Sequence, residues 1–381
     1  MMTGSMSPVT PAADPVPGFL RAYAETRAFL LGRPGRCQVT PDGKSVLFLR
    51  SGPRSPVLGL YELTLATGAC RELVTPAVLL AGADEVLSEA EKARRERQRI
   101  TDRGFTSYDL SPDGRHVLLP LAGRLYLFDR TSGAVRVLVE ANDDPPLDPR
   151  FSPDGMRVAF VRDYDLWVVD VAPGAVPRRL TTGGSPDTPN GLAEFVAQEE
   201  MARFEGYTWS ADGRMLAFCA VDQRHVETFA IADPARPELP PVTFRYPRPG
   251  RNNAIVRVGI VPADAPSPPA PVWVTWDAHR YPYLARLSWP AAPAPLTLLV
   301  QSRDQREQVV LAVATATGAC RPLLVERDAD WLNLERGLPR WLPDGRGFLQ
   351  VDEATGERRL VLHPRDGGAP QVLVPGDEGF I

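Results

Sequence analysis

Several features are missing from this 381-residue sequence, and each absence excludes a class of protein. No apolar run reaches the roughly 18 residues of a membrane-spanning helix, so no membrane association is expected. The N-terminus lacks the basic region and apolar core of a signal peptide, which predicts a cytoplasmic protein. The 43 Lys+Arg and 47 Asp+Glu give a net charge of −4 without a basic block. This balance argues against a nucleic-acid partner.

Cysteine and histidine are scarce and scattered. The four cysteines (Cys37, Cys70, Cys219 and Cys320) show no CxxC spacing, so they predict neither a zinc ribbon nor a disulfide framework. The four histidines show no HExxH or HxH spacing. We therefore expect no metal site and no cofactor. A P-loop, a dinucleotide fingerprint and a G-x-S-x-G nucleophile elbow are also missing, so no catalytic residue can be assigned from motifs.

Proline and glycine, in contrast, are plentiful. The chain has 40 Pro and 31 Gly, and its proline content is about twice the usual share. These residues leave little room for long helices and favour turns. The hydrophobic content of 44% and the charged content of 24% are those of an ordinary globular protein. Composition alone thus predicts a turn-rich β protein.

One turn sequence recurs along the chain. Its copies read TPDGK, SPDGR, SPDGM, SADGR and LPDGR, with the aspartate at Asp42, Asp113, Asp154, Asp212 and Asp344. Where proline is present it presets φ, the aspartate caps its own backbone, and the glycine closes the turn. Short apolar runs follow, such as residues 46–49 and 117–119, and they predict buried strands. A second strand and a second turn come at a regular offset, as in residues 125–133.

The spacing of these turns predicts a propeller. Asp113 and Asp154 lie 41 residues apart, which is the length of a four-stranded propeller blade. The intervals of 71 residues before Asp113 and 58 residues after Asp154 each predict one blade plus an insertion. The 132 residues between Asp212 and Asp344 predict about three blades. We therefore predict an all-β fold, a β-propeller of four-stranded blades with short helical insertions.

Three segments predict helices outside the strand repeats. Residues 18–31 are amphipathic, residues 84–100 contain the capping-box spacing of Ser88 and Glu91, and residues 190–204 begin with Asn190 as a candidate N-cap. We assign residues 1–35 to an N-terminal arm with a short helix and residues 36–381 to the propeller.

Glu199 and Glu200 are the candidate site residues, because they lie on an insertion rather than in a repeat strand. Apolar neighbours would hold that insertion in place: Phe195, Val196, Met201 and Phe204. Adjacent carboxylates on a helix diverge by about 100°, so they can approach one ammonium group from two sides at the helix edge. The pattern favours capture of a primary amine over acid–base catalysis. The alternative is a pair of solvated surface carboxylates.

The sequence around this pair resembles a known family. Residues 190–201 (NGLAEFVAQEEM), followed by GYTWS at 206–210, are similar to the Glu-Glu segment of bacterial dipeptidyl peptidase IV. Residues 87–97 (LSEAEKARRER), residues 246–254 (YPRPGRNNA) and, more weakly, residues 331–334 (WLNL) extend the resemblance. The likeness runs from about residue 20 to the end of the sequence.

This resemblance implies a function as well as a fold. The family consists of serine peptidases in which an eight-bladed N-terminal propeller precedes an α/β-hydrolase domain. They release Xaa-Pro or Xaa-Ala dipeptides from free N-termini, and the glutamate pair binds the substrate's α-ammonium group. By this resemblance Glu199 and Glu200 bind peptide N-termini. In the animal enzymes a propeller-loop arginine orients the substrate, but the corresponding loop, residues 121–124, is short and we assign no such residue.

The hydrolase domain of that family is missing from the 381 residues, so we expect the chain to be inactive alone and to need such a domain as a partner. We also expect an incomplete propeller, whose exposed edge strands favour self-association. The alternative function is that of a non-catalytic TolB-like or WD-repeat-like propeller, a protein-interaction scaffold. Both would contain the turn repeats, and the Glu-Glu insertion is the feature that separates them.

Overall fold

The computed structural model describes residues 18–87, 89–141 and 144–376, which fall into two units. The first unit contains the residues up to Val86 together with Arg99–Tyr108. The second contains Leu87–Gln98 and the chain from Asp109 onward. Residues 1–17 of the predicted N-terminal arm and Ser88 of the predicted capping box lie outside the described residues.

The first unit is built on one mainly antiparallel sheet. Its four main strands are adjacent in chain order: β1 (Gly35–Val39), β2 (Ser45–Ser51), β3 (Val57–Thr64) and β4 (Cys70–Val74). The remaining elements are two helices and a short strand parallel to β3: α1 (Phe19–Glu25), α2 (Pro76–Leu79) and β5 (Arg103–Gly104). This sheet is called blade 1.

The helix predicted over residues 18–31 is shorter in the structure and ends at Glu25. Three residues beyond its end have φ values of 50–60°: Arg27, Ala28 and Phe29. Such values lie outside the right-handed helical region, so the backbone turns away from the helix axis. The apolar spacing that predicted a longer helix instead brings the Phe19, Tyr23 and Phe29 rings within 6.0 Å of one another.

The second unit begins with α3 (Glu89–Arg97), which falls within the helix predicted over residues 84–100. Five four-stranded antiparallel sheets follow, and they are called blades 2 to 6. Blade 2 consists of β6 (Asp109–Leu110), β7 (His116–Leu121), β8 (Arg124–Asp129) and β9 (Val135–Val139). Blade 3 consists of β10 (Leu147–Phe151), β11 (Arg157–Arg162), β12 (Asp165–Asp170) and β13 (Arg178–Arg179).

Blade 4 follows a short helix, α4 (Phe195–Glu199), and contains an insertion between its second and third strands. Its strands are β14 (Tyr207–Trp209), β15 (Met215–Asp222), β18 (Ile255–Pro262) and β19 (Val272–Trp273). Blade 5 consists of β20 (Tyr283–Ser288), β21 (Leu296–Gln301), β22 (Glu307–Ala314) and β23 (Ala319–Arg327). Blade 6 consists of β24 (Arg340–Trp341), β25 (Gly347–Asp352), β26 (Arg359–Pro364) and β27 (Gln371–Val374).

The predicted all-β fold of four-stranded propeller blades is thus confirmed, but one blade count is wrong. The chain between Asp212 and Asp344 contains two blade steps rather than three. The excess length is the hairpin insertion, residues 223–254, in which β16 (Thr228–Ile231) pairs only with β17 (Val242–Arg245). Length alone could not distinguish this two-stranded insertion from a further blade.

The recurring turn has the predicted chemistry. In blade 2 the Ser111 hydroxyl donates to the Asp113 carboxylate at 2.5 Å and accepts the His116 N–H at 2.8 Å. Gly114 has a φ of 73°, a value that glycine adopts without strain. The same hydroxyl-to-aspartate bond closes the turns at Thr40, Ser152 and Ser210. These local bonds set the hairpin between the first two strands of each blade.

Neighbouring blades of the second unit pack through their apolar faces. One cluster joins blades 4 and 5 and includes Val258 and Leu298, both fully buried. Another joins blades 5 and 6 through Leu299, Val310 and Phe348. Among the described residues no helix is long and apolar enough to cross a bilayer.

Candidate functional site

The predicted site residues, Glu199 and Glu200, lie on the connection between blades 3 and 4. This connection, residues 180–206, is called the Glu-Glu segment. Glu199 is the last residue of α4 and Glu200 is its C-cap, with φ −104° and ψ −29°. Both side chains are exposed, and neither carboxylate has a hydrogen-bond or ion-pair partner among the described residues. The structure therefore presents two adjacent carboxylates to solvent, as the sequence predicted.

The helix that carries them is much shorter than the predicted 190–204. It is only five residues long, because extended backbone precedes it: Asn190 forms a bridge with Ala220 and Leu192 forms one with Glu205. Gly191 between them has a φ of 84°. After α4, Ala202 has a φ of 52°, which ends the helical backbone.

Asn190 is not the helix N-cap that the sequence predicted. Its side-chain amide instead donates to Asp165 of β12 at 2.8 Å. The Asp165 carboxylate is fully buried, and it also accepts the Thr181 hydroxyl at 2.6 Å and the Gly184 N–H at 3.1 Å. Arg179 pairs with the same carboxylate. One buried aspartate therefore fixes the first half of the Glu-Glu segment to blade 3.

A buried ion pair fixes the second half. Glu194 occupies the N-cap position of α4, but its carboxylate accepts from Arg203 Nη2 at 2.7 Å instead of capping the helix. Both residues are buried, at 7% and 3% exposure. Arg203 also donates to the carbonyls of Leu284 at 3.0 Å and Glu205 at 2.9 Å. Burial alone would lower the pKa of Arg203, but the Glu194 carboxylate raises it, so the pair stays ionised.

Apolar contacts complete the attachment of the segment. Met201, one residue after the glutamate pair, is 2% exposed and lies in the cluster between blades 5 and 6, with Val196 packed against it. Arg286 of β20 donates to the Met201 carbonyl at 2.7 Å. Because Met201 adjoins Glu200, the position of the exposed pair is set by the blade core.

Phe195 faces a different neighbour. Its ring meets Tyr246, just after the hairpin insertion's second strand, edge to face at 5.1 Å. The guanidinium carbon of Arg97 lies 5.8 Å from the centre of the same ring. Burial lowers the pKa of Arg97, and the Glu199 carboxylate offsets part of that effect. A positive charge from α3 therefore lies near the glutamate pair.

The sequence did not single out Arg97, Glu194 or Arg203. Arg97 is one of several arginines in a charge-rich helix about 100 residues earlier, and only the resemblance of residues 87–97 marked that helix as relevant. The spacing of Glu194 and Arg203 does not indicate a pair, because the five-residue helix between them is set by tertiary contacts. At the short loop predicted to lack a substrate-orienting residue, Arg124 pairs with Glu140 at 3.1 Å.

Comparison with known proteins agrees with this architecture. The family model for the dipeptidyl peptidase IV (DPP IV) N-terminal region matches residues 102–378. A probable dipeptidyl peptidase 4 of Aspergillus fumigatus is 26% identical over 243 residues, covering 60% of this chain and 31% of the relative. The dipeptidyl peptidase 4 of Arthroderma otae is 23% identical over 299 residues, covering 72% and 38%.

A solved structure shows the same fold. The crystal structure of Porphyromonas gingivalis dipeptidyl peptidase 4 matches 98% of this chain and 50% of that chain, with a TM-score of 0.73 and 20% sequence identity. The chain therefore spans about half the length of that protein and about a third of the length of the curated relatives. Since the family model covers well over half of the sequence, the chain belongs to the dipeptidyl peptidase IV family and corresponds to its N-terminal region.

Proposed function

We propose that this chain binds the free N-terminus of a peptide through Glu199 and Glu200, as the recognition propeller of a serine-type dipeptidyl peptidase. One observation carries the proposal: two exposed, unpartnered carboxylates stand side by side on a segment whose two halves are tied down by buried ionic contacts. Binding sites commonly hold their ligand-contacting groups in place before the ligand arrives.

The charges suit an α-ammonium group. An ammonium has N–H donors for both carboxylates, and its positive charge opposes theirs. Each charge-assisted hydrogen bond contributes about 1.5–3 kcal/mol, or roughly 10- to 150-fold in affinity. Arg97 extends the site, because a guanidinium near Glu199 can donate to a peptide carbonyl beyond the amine. The segment would thus bind the beginning of a peptide chain rather than an isolated amine.

In a complete enzyme this binding would set the cleavage position. If the propeller holds the N-terminus at a fixed distance from a hydrolase-domain nucleophile, only the bond after the second residue reaches the catalytic group. The propeller would also restrict access to peptides with a free end. Family membership and the names of the curated relatives support this role.

Calorimetric binding of one Xaa-Pro peptide, with a free or an acetylated N-terminus, tests the proposal on the chain as it stands. Acetylation removes the ammonium charge and leaves the rest of the peptide unchanged. We expect the acetylated peptide to bind at least tenfold more weakly. Equal Kd values, or no binding of the free-amine peptide, would contradict amine recognition. Binding that ignores the N-terminal charge would instead favour a scaffold.

A further inference from the structure

A row of polar side chains interrupts the apolar interface between blades 5 and 6. Gln301 of β21 is paired across the sheet with Gln308 of β22, which is paired with Glu326 of β23. Directly paired residues of antiparallel strands lie on the same face, with Cβ atoms about 5 Å apart. Gln350 of β25 joins them from blade 6, two residues after the fully buried Phe348. The row therefore continues the buried face of both blades.

Glu326 connects the two blades. Its Oε2 atom accepts the side-chain amide of Gln308 at 2.7 Å and that of Gln350 at 3.0 Å. These two bonds determine which way the amides face, because exchanging nitrogen and oxygen would set an amide oxygen against the carboxylate. The third amide, that of Gln301, donates weakly to the Leu332 carbonyl at 3.4 Å.

The opposite ends of the three amides lack donors. Gln301, Gln308 and Gln350 are 0%, 2% and 4% exposed, and the Oε1 atom of each is buried without a hydrogen bond within the described part of the chain. A buried acceptor without a donor is costly, and such atoms in folded proteins nearly always have a partner. Three of them around one carboxylate form a cluster of oxygen ligands.

The carboxylate also lacks a compensating positive charge. Burial raises the pKa of Glu326 to about 7, against the two amide bonds, and the like charges of Asp352 and Glu353 add to the rise. The nearby arginines are engaged elsewhere: Arg359 pairs with Asp352, Arg358 with Glu335 and Glu353, and Arg327 with Glu307. Glu326 itself is only partly buried, which leaves a route from solvent to the cluster.

We propose that this cluster binds a monovalent cation, Na⁺ or K⁺, between blades 5 and 6. One positive charge balances one carboxylate, and the neutral amide oxygens replace part of the ion's water shell. Calcium sites usually contain more carboxylates, and no group of three or more His, Cys, Asp or Glu in the described residues could hold a metal. The ion would join β21, β22 and β23 to β25 and stabilise the contact between the two blades.

Thermal unfolding of the full chain tests this site. Tm is measured in NaCl, KCl or tetramethylammonium chloride at one total ionic strength, so that general screening is constant. We expect Tm to be about 2–4 °C higher in the ion that fits, with a rise that saturates as that ion replaces tetramethylammonium. The larger of the two shifts identifies the ion. Equal Tm values in all three salts would overturn the proposal and leave the amide oxygens to water.

Two variants locate the effect. Glu326→Gln removes the charge at nearly constant shape and should abolish the ion-specific Tm shift. Glu357→Gln makes the same change at an exposed turn of blade 6 and should retain the shift. An ion response that survives Glu326→Gln would overturn the assignment. Should that variant not fold, ²³Na line broadening by the unmodified chain, reversed by K⁺, supports the site, and no broadening together with no K⁺-specific Tm shift rejects it.

Discussion

Two insertions in the propeller, the Glu-Glu segment and the hairpin insertion, are attached to it in different ways. The Glu-Glu segment is held by buried charge: Asp165 gathers its first half, and the Glu194–Arg203 pair closes its second half. In the hairpin insertion every residue of β16 is exposed. Its side-chain links to the Glu-Glu segment include the Arg245–Asp187 ion pair and the contact between Tyr246 and Phe195.

The difference explains why one insertion suits recognition. A two-stranded hairpin that packs on nothing is only marginally stable, so its side chains are poorly suited to hold a fixed geometry. The Glu-Glu segment has only one helical turn, but its buried contacts do the work that regular structure would otherwise do. Exposed carboxylates on such a segment keep their spacing without having to be buried themselves.

Loss of Arg203 should have the largest effect. Arg203→Met leaves the Glu194 carboxylate buried without its partner, which costs about 3–5 kcal/mol. We expect this decrease in the free energy of unfolding by urea denaturation. The double variant Glu194→Leu/Arg203→Met should recover much of it, because no buried charge remains. A single variant within 1 kcal/mol of the unmodified chain would show that the pair does not hold the segment.

Removing the Met201 side chain should come next. Met201→Ala leaves a cavity between blades 5 and 6 and should cost about 2–4 kcal/mol in urea denaturation. The matched change on the hairpin insertion is Val242→Ala, at a residue that is 71% exposed, and it should alter stability by less than about 0.5 kcal/mol. Similar losses in both variants would remove the distinction between the two insertions.

The contact between the insertions should be measurable but smaller. A double-mutant cycle of Phe195→Ala and Tyr246→Ala should give a coupling of about 0.5–1.5 kcal/mol, as expected for an edge-to-face aromatic pair. A coupling near zero would mean that the Glu-Glu segment is fixed by the blades alone.

The smallest effect concerns the ion pair between the insertions. The side-chain hydrogen bond from Arg245 lowers the pKa of Asp187, so the pair's contribution is present above about pH 4 and is lost as pH falls through the lowered pKa. Arg245→Met should therefore leave stability near pH 7 almost unchanged and should flatten its decline in acid. An undiminished acid slope, measured by urea denaturation between pH 2 and 5, would exclude this pair as its source.

The parts that the sequence predicted are those determined by local chemistry. The turn at Asp113 closes through hydrogen bonds within six residues, so its pattern predicts the hairpin and then the blade. The exposed pair at Glu199 and Glu200 was found because two adjacent carboxylates on an insertion are visible in the sequence, and because the surrounding residues resemble a known family.

The parts that it missed depend on contacts between distant residues. The predicted helix over residues 190–204 is shortened because Asn190 binds Asp165 and pairs with Ala220. The approach of Arg97 to Phe195 joins residues nearly 100 positions apart. The hairpin insertion was counted as blade length because its strands have the composition of blade strands and differ only in their pairing.

The central claim is that Glu199 and Glu200 bind a peptide amine from a prebuilt position. The most direct measurement is the calorimetric Kd of a free-amine Xaa-Pro peptide for Glu199→Gln, Glu200→Gln and Glu238→Gln, the last being an exposed glutamate on the hairpin insertion. We predict at least tenfold weaker binding for the first two variants, unchanged binding for Glu238→Gln, and the same Tm for all three. The same Kd for Glu200→Gln and Glu238→Gln would contradict the account.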